Sequence, residues 1–358
     1  MVARVCHVSS AHGSHDIRIF VKECRSLAEM GHEVLFVAYG DSELIDNVQI
    51  VGLGNRPTTR RARMAVGAKQ AFEKARSLQA DVYHLHDPEL LPYAKRLRAA
   101  GARVIFDSHE DVPAQIISKE WIPKGLRKVI SAIYKRYETE IVRGLDAVVA
   151  ATPFIAQQFD GRAPKVAVVN NYPVLSDIEF HADAFSGREA IACYTGGISE
   201  ARGEKVMIEA MRSSGGKLVL AGRRAEGGEG DRGYEYLGIL DRAGVNALYG
   251  KSVVGLVLLQ PLKNYVASKP IKMYEYMAAG LPVVASNFPL WRALIEENEC
   301  GICVPPDDPD SIRQAIVRLF KDRDLAQAMG ARGRAVIEEK YNWDKEKLIL
   351  YALYNDLL

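Results

Sequence analysis

The segment YVASKPIKMYEYMAAGLPVVAS, residues 265–286, combines a polar opening, an amphipathic helix pattern and a buried strand pattern. Gly280 is expected to end the helix, because glycine readily adopts the left-handed backbone found after helix C-termini. The apolar run from Pro282 to Ala285 then predicts a strand that is buried on both faces. A helix that leads directly into a buried strand is typical of a parallel sheet covered by helices.

The same alternation extends along the whole chain. The apolar runs predict strands at Arg4–Val8, Glu33–Ala38, Val82–Leu85, Arg103–Phe106, Ala147–Ala150, Val166–Val169, Ala190–Thr195, Lys217–Ala221, Tyr234–Gly238, Val253–Leu259, Pro282–Ala285 and Gly301–Val304. Helical spacing predicts helices that include Ile19–Met30, Glu204–Met211, Ile271–Ala279, Pro309–Leu319 and Trp343–Leu358. Strands that alternate with helices predict an α/β fold with doubly wound parallel sheets, whose ligands bind beyond the carboxyl ends of the strands.

Length and patterning predict two domains. A chain of 358 residues is too long for most single cores. Residues 171–189 lack a sustained period and contain proline, serine and glycine, so we expect a linker there. The two domains are then 1–170 and 190–342, facing a central cleft, with a C-terminal helix over 343–358 that packs back on the first domain.

Composition excludes several functional classes. The net charge of +2 argues against a dedicated nucleic-acid binder, and no run of 18 apolar residues is present. The N-terminus reads as a strand rather than a signal peptide, because His7 interrupts its short apolar part. The five scattered cysteines fit buried, reduced thiols in a cytoplasmic protein.

The opening segment also predicts an anion site. A helix that begins near Ser268 would point free backbone N–H groups and a positive dipole end at a phosphate. Ser268 suits the cap, Pro270 suits the first turn, and Lys269 adds a positive charge. Glu275 is then placed to accept hydrogen bonds from a ribose. The spacing fits equally well an ordinary capped helix whose glutamate faces water.

These motifs resemble the retaining glycosyltransferases of family 4, which have the GT-B fold. The run PLKNYVASKPIKMYEYMAAGLPVVASNFPLWRALIEENECGICVPPDDP resembles their donor-binding segment. HVSSAHGSHDIRIFVKECRSLAEMGHEV, DVYHLHDPELLPYAKRLRAAGARVIFDSHEDVP, CYTGGISEARGEKVMIEAM and YNWDKE resemble other parts of that family in the same order. The resemblance implies an acceptor-binding N-terminal domain, a donor-binding C-terminal domain and metal-independent transfer from a nucleoside diphosphate sugar, with UDP or GDP expected as the nucleotide.

Two positions depart from the family pattern. The family carries two glutamates eight positions apart; Glu275 matches the second, but Ala267 stands in the place of the first. An alanine side chain cannot hydrogen-bond the donor sugar, so the resemblance implies the phosphate-binding role for this segment but not the sugar-binding one. Gly197 likewise stands where the family supplies one diphosphate cation, whereas Arg202 matches the other. Arginine binds phosphate in a bidentate manner, although a surface arginine is often only solvated.

The resemblance assigns further residues in the first half of the chain. His109, directly after a predicted strand, matches a histidine that contacts the donor sugar. Gly13 would let the backbone approach the diphosphate or acceptor, and His15, Asp16 and Arg18 would line the acceptor side.

Metal binding at the histidines is a weaker alternative. His84 and His86 share a strand face and could join His109 as ligands for zinc or iron. We predict no metal, because a carboxylate at ligand-like spacing is missing from the sequence pattern and the family is metal-independent.

The predicted function is retaining transfer of a sugar to a glycan or lipid-linked acceptor, in surface polysaccharide or glycolipid synthesis. His109, Arg202 and Glu275 are the expected catalytic group. The basic stretch Lys119–Arg136 fits either an anionic membrane surface, placing the protein at the cytoplasmic face, or a solvated helix face. The alternatives are a sugar-nucleotide epimerase of GT-B fold and a non-catalytic relative that binds sugar nucleotides.

Overall fold

The computed structural model describes residues 2–59, 66–119, 121–180, 185–224 and 233–358. Glu120 of the basic stretch and 181–184 of the expected linker lie outside the described residues. The chain divides into two compact units, the first comprising Met1–Asn171 with Asp344–Leu358 and the second comprising Tyr172–Trp343.

The first unit contains an eight-stranded sheet. Its strands are β1 Arg4–Gly13, β2 Glu33–Tyr39, β3 Glu43–Ile45, β4 Val48–Gly52, β5 Val82–Leu85, β6 Arg103–Ser108, β7 Ala147–Ala150 and β8 Val166–Val168. They lie in the order β3-β4-β2-β1-β5-β6-β7-β8, and every neighbouring pair is parallel except β3 with β4. The carboxyl ends of β1, β5 and β6 therefore meet at one edge, as the pattern of buried runs predicts.

Helices connect the strands of the first unit. They are a π-helical segment Ile17–Cys24, α1 Arg25–Glu29, α2 Ala68–Ser77, α3 Leu91–Ala99, α4 Val112–Ser118, α5 Lys124–Val142 and α6 Pro153–Gln157. The expected helix Ile19–Met30 begins earlier, because Oδ1 of Asp16 accepts hydrogen bonds from the backbone N–H groups of Arg18 and Ile19 at 2.9 and 3.0 Å.

The second unit contains a six-stranded sheet. Its strands are β9 Ile191–Thr195, β10 Lys217–Ala221, β11 Glu235–Tyr236, β12 Val254–Val257, β13 Val283–Ser286 and β14 Gly301–Val304. They lie in the order β11-β10-β9-β12-β13-β14 with every pair parallel. The strand expected over Tyr234–Gly238 is shorter, and Gly238 leaves the extended region with a φ of +69°.

The remaining helices complete the second unit and the C-terminus. They are α7 Glu204–Met211, α8 Arg242–Lys251, α9 Lys263–Val266, α10 Ile271–Ala278, α11 Pro289–Glu297, α12 Pro309–Lys321, α13 Arg323–Glu339 and α14 Trp343–Leu357. Gly280 follows α10 with a φ of +76°, so it ends this helix as predicted.

The expected linker contributes to the second unit's core, where Tyr172, Ile178 and Phe185 are buried. These apolar residues have no regular spacing, and for that reason sequence periodicity does not reveal them as core residues.

Hydrogen bonds within the first unit hold α14. Glu346 accepts one from the backbone N–H of Asn170 at 2.7 Å, and the Tyr351 hydroxyl donates one to the carbonyl of Ser26 at 2.9 Å. These bonds explain why the C-terminal residues belong to the same unit as the N-terminal ones.

Candidate functional site

A glycine turn follows β9 in the second unit. Gly196 has a φ of +121°, and a Cβ atom there would lie 3.0 Å from Nζ of Lys272. A Cβ atom on Gly197 would collide with the guanidinium of Arg202. The glycine turn, Gly196–Gly197, is thus a bare stretch of backbone at the carboxyl end of a central strand, flanked by two cationic side chains. Such a surface suits a phosphate group.

Arg202 lies at the end of a short 3-10 turn, Glu200–Arg202, after the glycine turn. Its Nη1 donates a hydrogen bond to the carbonyl of Gly197 at 3.3 Å, and the Tyr194 hydroxyl donates to the same oxygen at 2.7 Å. Arg202, which the family resemblance assigns to the diphosphate, is therefore held against Gly197. Its other guanidinium nitrogens retain donors for a ligand.

Lys272, which was not among the residues predicted from the sequence, also lies at the glycine turn. Its ammonium lies 3.7 Å from the centroid of the Tyr194 ring, and the side chain is partly buried. One signal for it existed, because Lys272 occupies the first turn of α10, where the positive end of the helix dipole disfavours a cation.

The start of α10 differs from its prediction. The helix begins at Ile271 after an extended Pro270, which has a ψ of 121° and makes no side-chain cap. The hydroxyl of Ser268 donates instead to the carbonyl of Tyr265 at 2.8 Å. The prediction that Ser268 caps the helix and Pro270 lies in its first turn is therefore wrong, because local hydrogen bonding holds Ser268 in the preceding turn.

Lys269 and Ala267 surround this turn. Lys269 donates a hydrogen bond from Nζ to the hydroxyl of Tyr172 at 3.0 Å. Its ammonium is thus positioned by Tyr172, whereas Lys272 is the lysine beside the glycine turn. Ala267 is exposed. Its methyl group has no donor or acceptor, so it makes no polar contact at the position where the family carries a glutamate.

Glu275 has partners within the second unit. Arg242 donates from Nη2 to Oε1 at 2.8 Å, and the Tyr249 hydroxyl donates to Oε2 at 3.4 Å. The Glu275 side chain is 15% exposed. A carboxylate accepts about four hydrogen bonds, so Glu275 retains acceptor capacity for a ribose.

In the first unit, Asp107 organises His109. Oδ2 of Asp107 lies 2.9 Å from Nε2 of His109, one residue beyond the end of β6. Arg18 donates to both carboxylate oxygens of Asp107 at 2.9 and 2.8 Å. Burial acts to raise the pKa of Asp107. The charge of Arg18, together with His109 and His86, outweighs burial and holds this pKa well below its usual range. Asp107 is ionised at neutral pH, so Nε2 of His109 must carry the hydrogen.

The residues expected on the acceptor side have separate roles in the structure. Arg18 is buried in the pair with Asp107, and its Nη1 also donates to the carbonyl of Val169 at 2.9 Å. Asp16 caps the π-helical segment. His15 is exposed and lies 3.1 Å from Glu43. A Cβ atom on Gly13 would lie 3.9 Å from the carbonyl oxygen of Tyr39, an ordinary contact, so its surroundings do not require glycine.

A second histidine, His12, extends the edge formed by β1, β5 and β6. Its ring centroid lies 5.5 Å from that of His109, and its Nδ1 lies 3.3 Å from Asp87. Burial acts to lower the pKa of His12. The hydrogen bond to Asp87 and the negative charge of Asp87 outweigh burial, so the pKa of His12 is raised. The pKa of Asp87 falls to about 2 because hydrogen bonding and charge from His12, then Ser9, outweigh its burial.

A buried polar cluster lies beneath this edge, formed by His7, Glu23, His84 and His86. Each offers one potential ligand atom, and these atoms lie within 4.8 Å of one another. However, Nδ1 of His7 is only 2.8 Å from Nε2 of His86, shorter than the roughly 3.3 Å between two ligands of a tetrahedral zinc. The geometry is that of a hydrogen-bonded histidine pair.

Burial favours the neutral forms in this cluster. It lowers the pKa of His7 and His84 well below the ordinary range, and burial, then the charge of Asp107, raises the pKa of Glu23. Glu23 was not among the residues predicted from the sequence, although it follows Ile19 by four positions on an otherwise apolar helix face.

The basic stretch forms an amphipathic surface on α5 and on the short segment just before it. We call Trp121, Leu126, Val129 and Ile133 the α5 patch; these side chains are 72, 53, 53 and 64% exposed. Exposed Lys124, Lys128, Lys135 and Arg136 lie on the same helix. Within the described chain, no helix has both the length and the apolar character needed to cross a membrane.

Two family models match consecutive parts of the chain. Residues 18–172 match Glycosyltransferase Family 4, and residues 176–336 match Glycosyl transferases group 1.

Curated relatives are distant. A GDP-mannose-dependent alpha-(1-6)-phosphatidylinositol monomannoside mannosyltransferase of Mycobacterium tuberculosis is 36% identical over 74 residues, 21% of this chain and 19% of that protein. The aligned part is thus about a fifth of that relative's length. A phosphatidyl-myo-inositol mannosyltransferase of Mycobacterium leprae is 25% identical over 290 residues, 74% of this chain and 70% of that protein.

Solved structures match the whole chain in fold. Sucrose-phosphate synthase from Thermosynechococcus elongatus has a TM-score of 0.77 at 19% identity, covering 99% of this chain and 98% of that one. Anabaena HepE in complex with UDP-glucose has a TM-score of 0.69 at 15% identity, covering 99% and 100%. The fold is therefore GT-B, with two parallel-sheet α/β domains, and the chain belongs to the glycosyltransferase family described by these two models.

Proposed function

We propose that this protein is a retaining, metal-independent glycosyltransferase that moves a sugar from a nucleoside diphosphate to a glycan or lipid-linked acceptor. The observation that carries the proposal is the glycine turn after β9, with Arg202 against it. A turn without Cβ atoms lets phosphate oxygens approach the backbone, and a guanidinium binds such oxygens in a bidentate manner. The carboxyl end of a parallel strand is also where such sheets bind ligands.

Transfer breaks the bond between the anomeric carbon and the oxygen of the diphosphate, and the electron pair stays on that oxygen. The acceptor hydroxyl forms the new bond on the face that the diphosphate leaves, and its proton passes to the diphosphate. Arg202, Lys269 and the N-terminal end of α10 at Ile271 stabilise the negative charge that develops, which is the type of interaction that contributes most to many enzymatic rates.

Other residues orient the donor. Glu275 accepts hydrogen bonds from the ribose hydroxyls with the capacity that Arg242 leaves unused. His109 contacts the donor sugar through an imidazole that Asp107 holds in one tautomer. Because Ala267 offers no polar side chain, backbone groups and His109 take over recognition of the sugar.

The proposed setting is surface polysaccharide or glycolipid synthesis at the cytoplasmic face of a membrane, with UDP or GDP as the nucleotide. Two of the relatives are phosphatidylinositol-type mannosyltransferases, and the structure of HepE contains UDP-glucose. The α5 patch supports a peripheral contact, because apolar side chains among lysines and arginines suit an anionic lipid surface.

The nucleotide is identified by thermal-shift measurements with UDP, GDP, ADP and dTDP. We expect one diphosphate to raise the melting temperature, since a ligand that binds only the folded protein stabilises it by mass action. The matching labelled sugar nucleotides are then incubated with and without extracted lipid acceptors. Acceptor-dependent product with the donor's anomeric configuration supports transfer, whereas rapid epimerisation without acceptor, or no turnover with any acceptor, contradicts it.

Membrane contact is tested by flotation with vesicles of phosphatidylcholine, alone or with phosphatidylglycerol. The double variant Leu126→Ser, Ile133→Ser should lose binding to the anionic vesicles. Leu348→Ser, on the 60% exposed Leu348 of α14, is the matched control. Equal flotation of the double variant and the wild type would remove the α5 patch from the proposal.

A further inference from the structure

The side chain of Lys272 lies beside the glycine turn, close to a second cationic side chain. Its ammonium lies 3.7 Å from the centroid of the Tyr194 ring. It also lies 3.0 Å from the position that a Cβ atom added to Gly196 would take. Arg202 lies against the adjacent Gly197. Two cationic side chains therefore flank two consecutive glycines, one from α10 and one from the turn before α7.

The surroundings of Lys272 lack a compensating anion. Among the described residues, no carboxylate lies within ion-pair distance of its ammonium. Glu275 is the acidic residue that acts on it electrostatically, but that carboxylate is engaged by Arg242 at 2.8 Å. Arg202 and the positive end of the α10 dipole both repel a cation here, and like charges close together in a partly buried site are costly.

The titration of Lys272 agrees with this geometry. Burial, and then the charge of Arg202, lower the pKa of Lys272 to about 7. A lysine in this condition is stabilised when an anion binds next to it, because the anion compensates both the burial and the repulsion from Arg202.

We propose that Lys272 and Arg202 form a two-cation clamp for the diphosphate of the donor, with the glycine turn as its floor. This inference rests on the proposed function and deepens it. Gly197 leaves the place of one family cation empty, and the ammonium of Lys272 approaches the same turn from α10 instead. Lys269, which the sequence pattern favours, is held by Tyr172.

The clamp is tested by calorimetric titration with UDP, GDP, ADP and dTDP, and with the corresponding nucleosides, which lack phosphate. Lys272→Met keeps the side-chain length and removes the charge. We expect it to weaken diphosphate binding by about tenfold to a hundredfold, the effect of losing a charge-assisted hydrogen bond. Nucleoside binding should stay within about threefold, since no phosphate contact is lost.

Three further variants sharpen the test. Lys205→Met changes an exposed lysine on α7 and should leave diphosphate binding unaltered. Lys272→Arg keeps the charge and should retain most of the affinity. Lys269→Met should lose less affinity than Lys272→Met. Melting temperatures of the unliganded variants verify that each is folded.

The outcomes separate the clamp from the proposed function. If the wild type binds a diphosphate and Lys272→Met binds it equally well, the clamp is wrong and the proposed function stands. An equal loss for diphosphate and nucleoside also overturns the clamp, because Lys272 would then act through packing. A wild type that binds none of the four diphosphates overturns both.

Discussion

His109 shares the carboxylate of Asp107 with Arg18, and its Nε2 lies 2.9 Å from Oδ2 of Asp107. An ionised Asp107 can only accept, so the imidazole donates from Nε2 and presents Nδ1 as its other nitrogen. Asp107 is therefore a positioning residue for a histidine that we place against the donor sugar. The contact joins residues that are two apart in sequence, at the end of β6.

Asp107→Asn should reduce the transfer rate by about tenfold or more, because an asparagine does not enforce the Nε2 tautomer of His109. The double variant with His109→Ala should be no slower than His109→Ala alone, since both changes act on one interaction. Rates of all three proteins are compared at saturating donor. Independent, multiplicative losses would contradict a positioning role for Asp107.

Arg18→Met should lower the free energy of unfolding by about 3–5 kcal/mol, because it leaves the buried carboxylate of Asp107 without its arginine. The matched control is Arg25→Met. Arg25 pairs with Asp46 at the surface, where an ion pair contributes about 0–1 kcal/mol. Urea denaturation of both variants measures the difference. A similar loss of unfolding free energy in the two variants would show that the buried pair of Arg18 and Asp107 stabilises the fold no more than a surface pair does.

Glu275→Gln should weaken nucleotide binding by about tenfold and erase the preference for a ribonucleotide over its 2′-deoxy counterpart. The amide accepts fewer hydrogen bonds than the carboxylate and loses the ion pair with Arg242. Titration with UDP against dUDP, or GDP against dGDP, reads this preference directly. Lys272→Met serves as the control, since it should weaken both nucleotides alike; a preference that survives Glu275→Gln would place the ribose elsewhere.

Diphosphate binding should be coupled to proton uptake at Lys272. With a pKa of about 7 in the unliganded protein, below the ordinary 10.5, this lysine is largely neutral at pH 8. A bound diphosphate raises that pKa, so affinity should fall as the pH rises from 7 to 9. The groups that face the ammonium are Arg202, which stays charged, Tyr194, which burial keeps neutral with a pKa of about 12, and Glu275.

The measurement of this coupling is calorimetry at pH 8 in buffers of different ionisation enthalpy. We expect proton uptake in the wild type that disappears in Lys272→Arg, whose guanidinium is always charged. Equal uptake in both proteins would assign the proton to another group.

Ala267→Glu should alter donor choice or rate, because it restores an acid at an exposed position where the family binds the sugar. The melting temperature should change little, since a surface substitution typically costs within about 0.5 kcal/mol. Initial rates over a panel of sugar nucleotides provide the test. Indistinguishable kinetics for the variant and the wild type would show that Ala267 lies away from the sugar.

Much of the architecture was predictable because it is written in local patterns. Val82–Leu85 and Ala147–Ala150 were predicted as strands from short apolar runs, and both are strands with those bounds. The boundaries that failed depend on single contacts. Asp16 starts its helix early by capping it, and the bond from Ser268 to Tyr265 delays the start of α10.

Some residues of the candidate site were predicted from the sequence, and others were identified only in the structure. Arg202 was assigned to the diphosphate by the family resemblance, and the structure holds it against the glycine turn through the carbonyl of Gly197. Sequence spacing could not predict the role of Lys272, because that role depends on contact with a turn about 75 residues earlier in the chain. Glu23 shows the same limit, since its partners come from β1 and from the end of β5.

The amino-acid sequence by itself determined the alternation of strands and helices, and with it two parallel α/β sheets, because hydrophobic periodicity and helix-ending glycines act over a few residues. Only the tertiary structure decided which charged groups meet. It brought Arg18 to Asp107 across 89 positions and Lys272 to Gly196, and it directed Lys269 to Tyr172. Electrostatic interactions depend on distance and burial in space, so their partners, and the pKa values that follow from them, emerge only once the strands are ordered in the sheets.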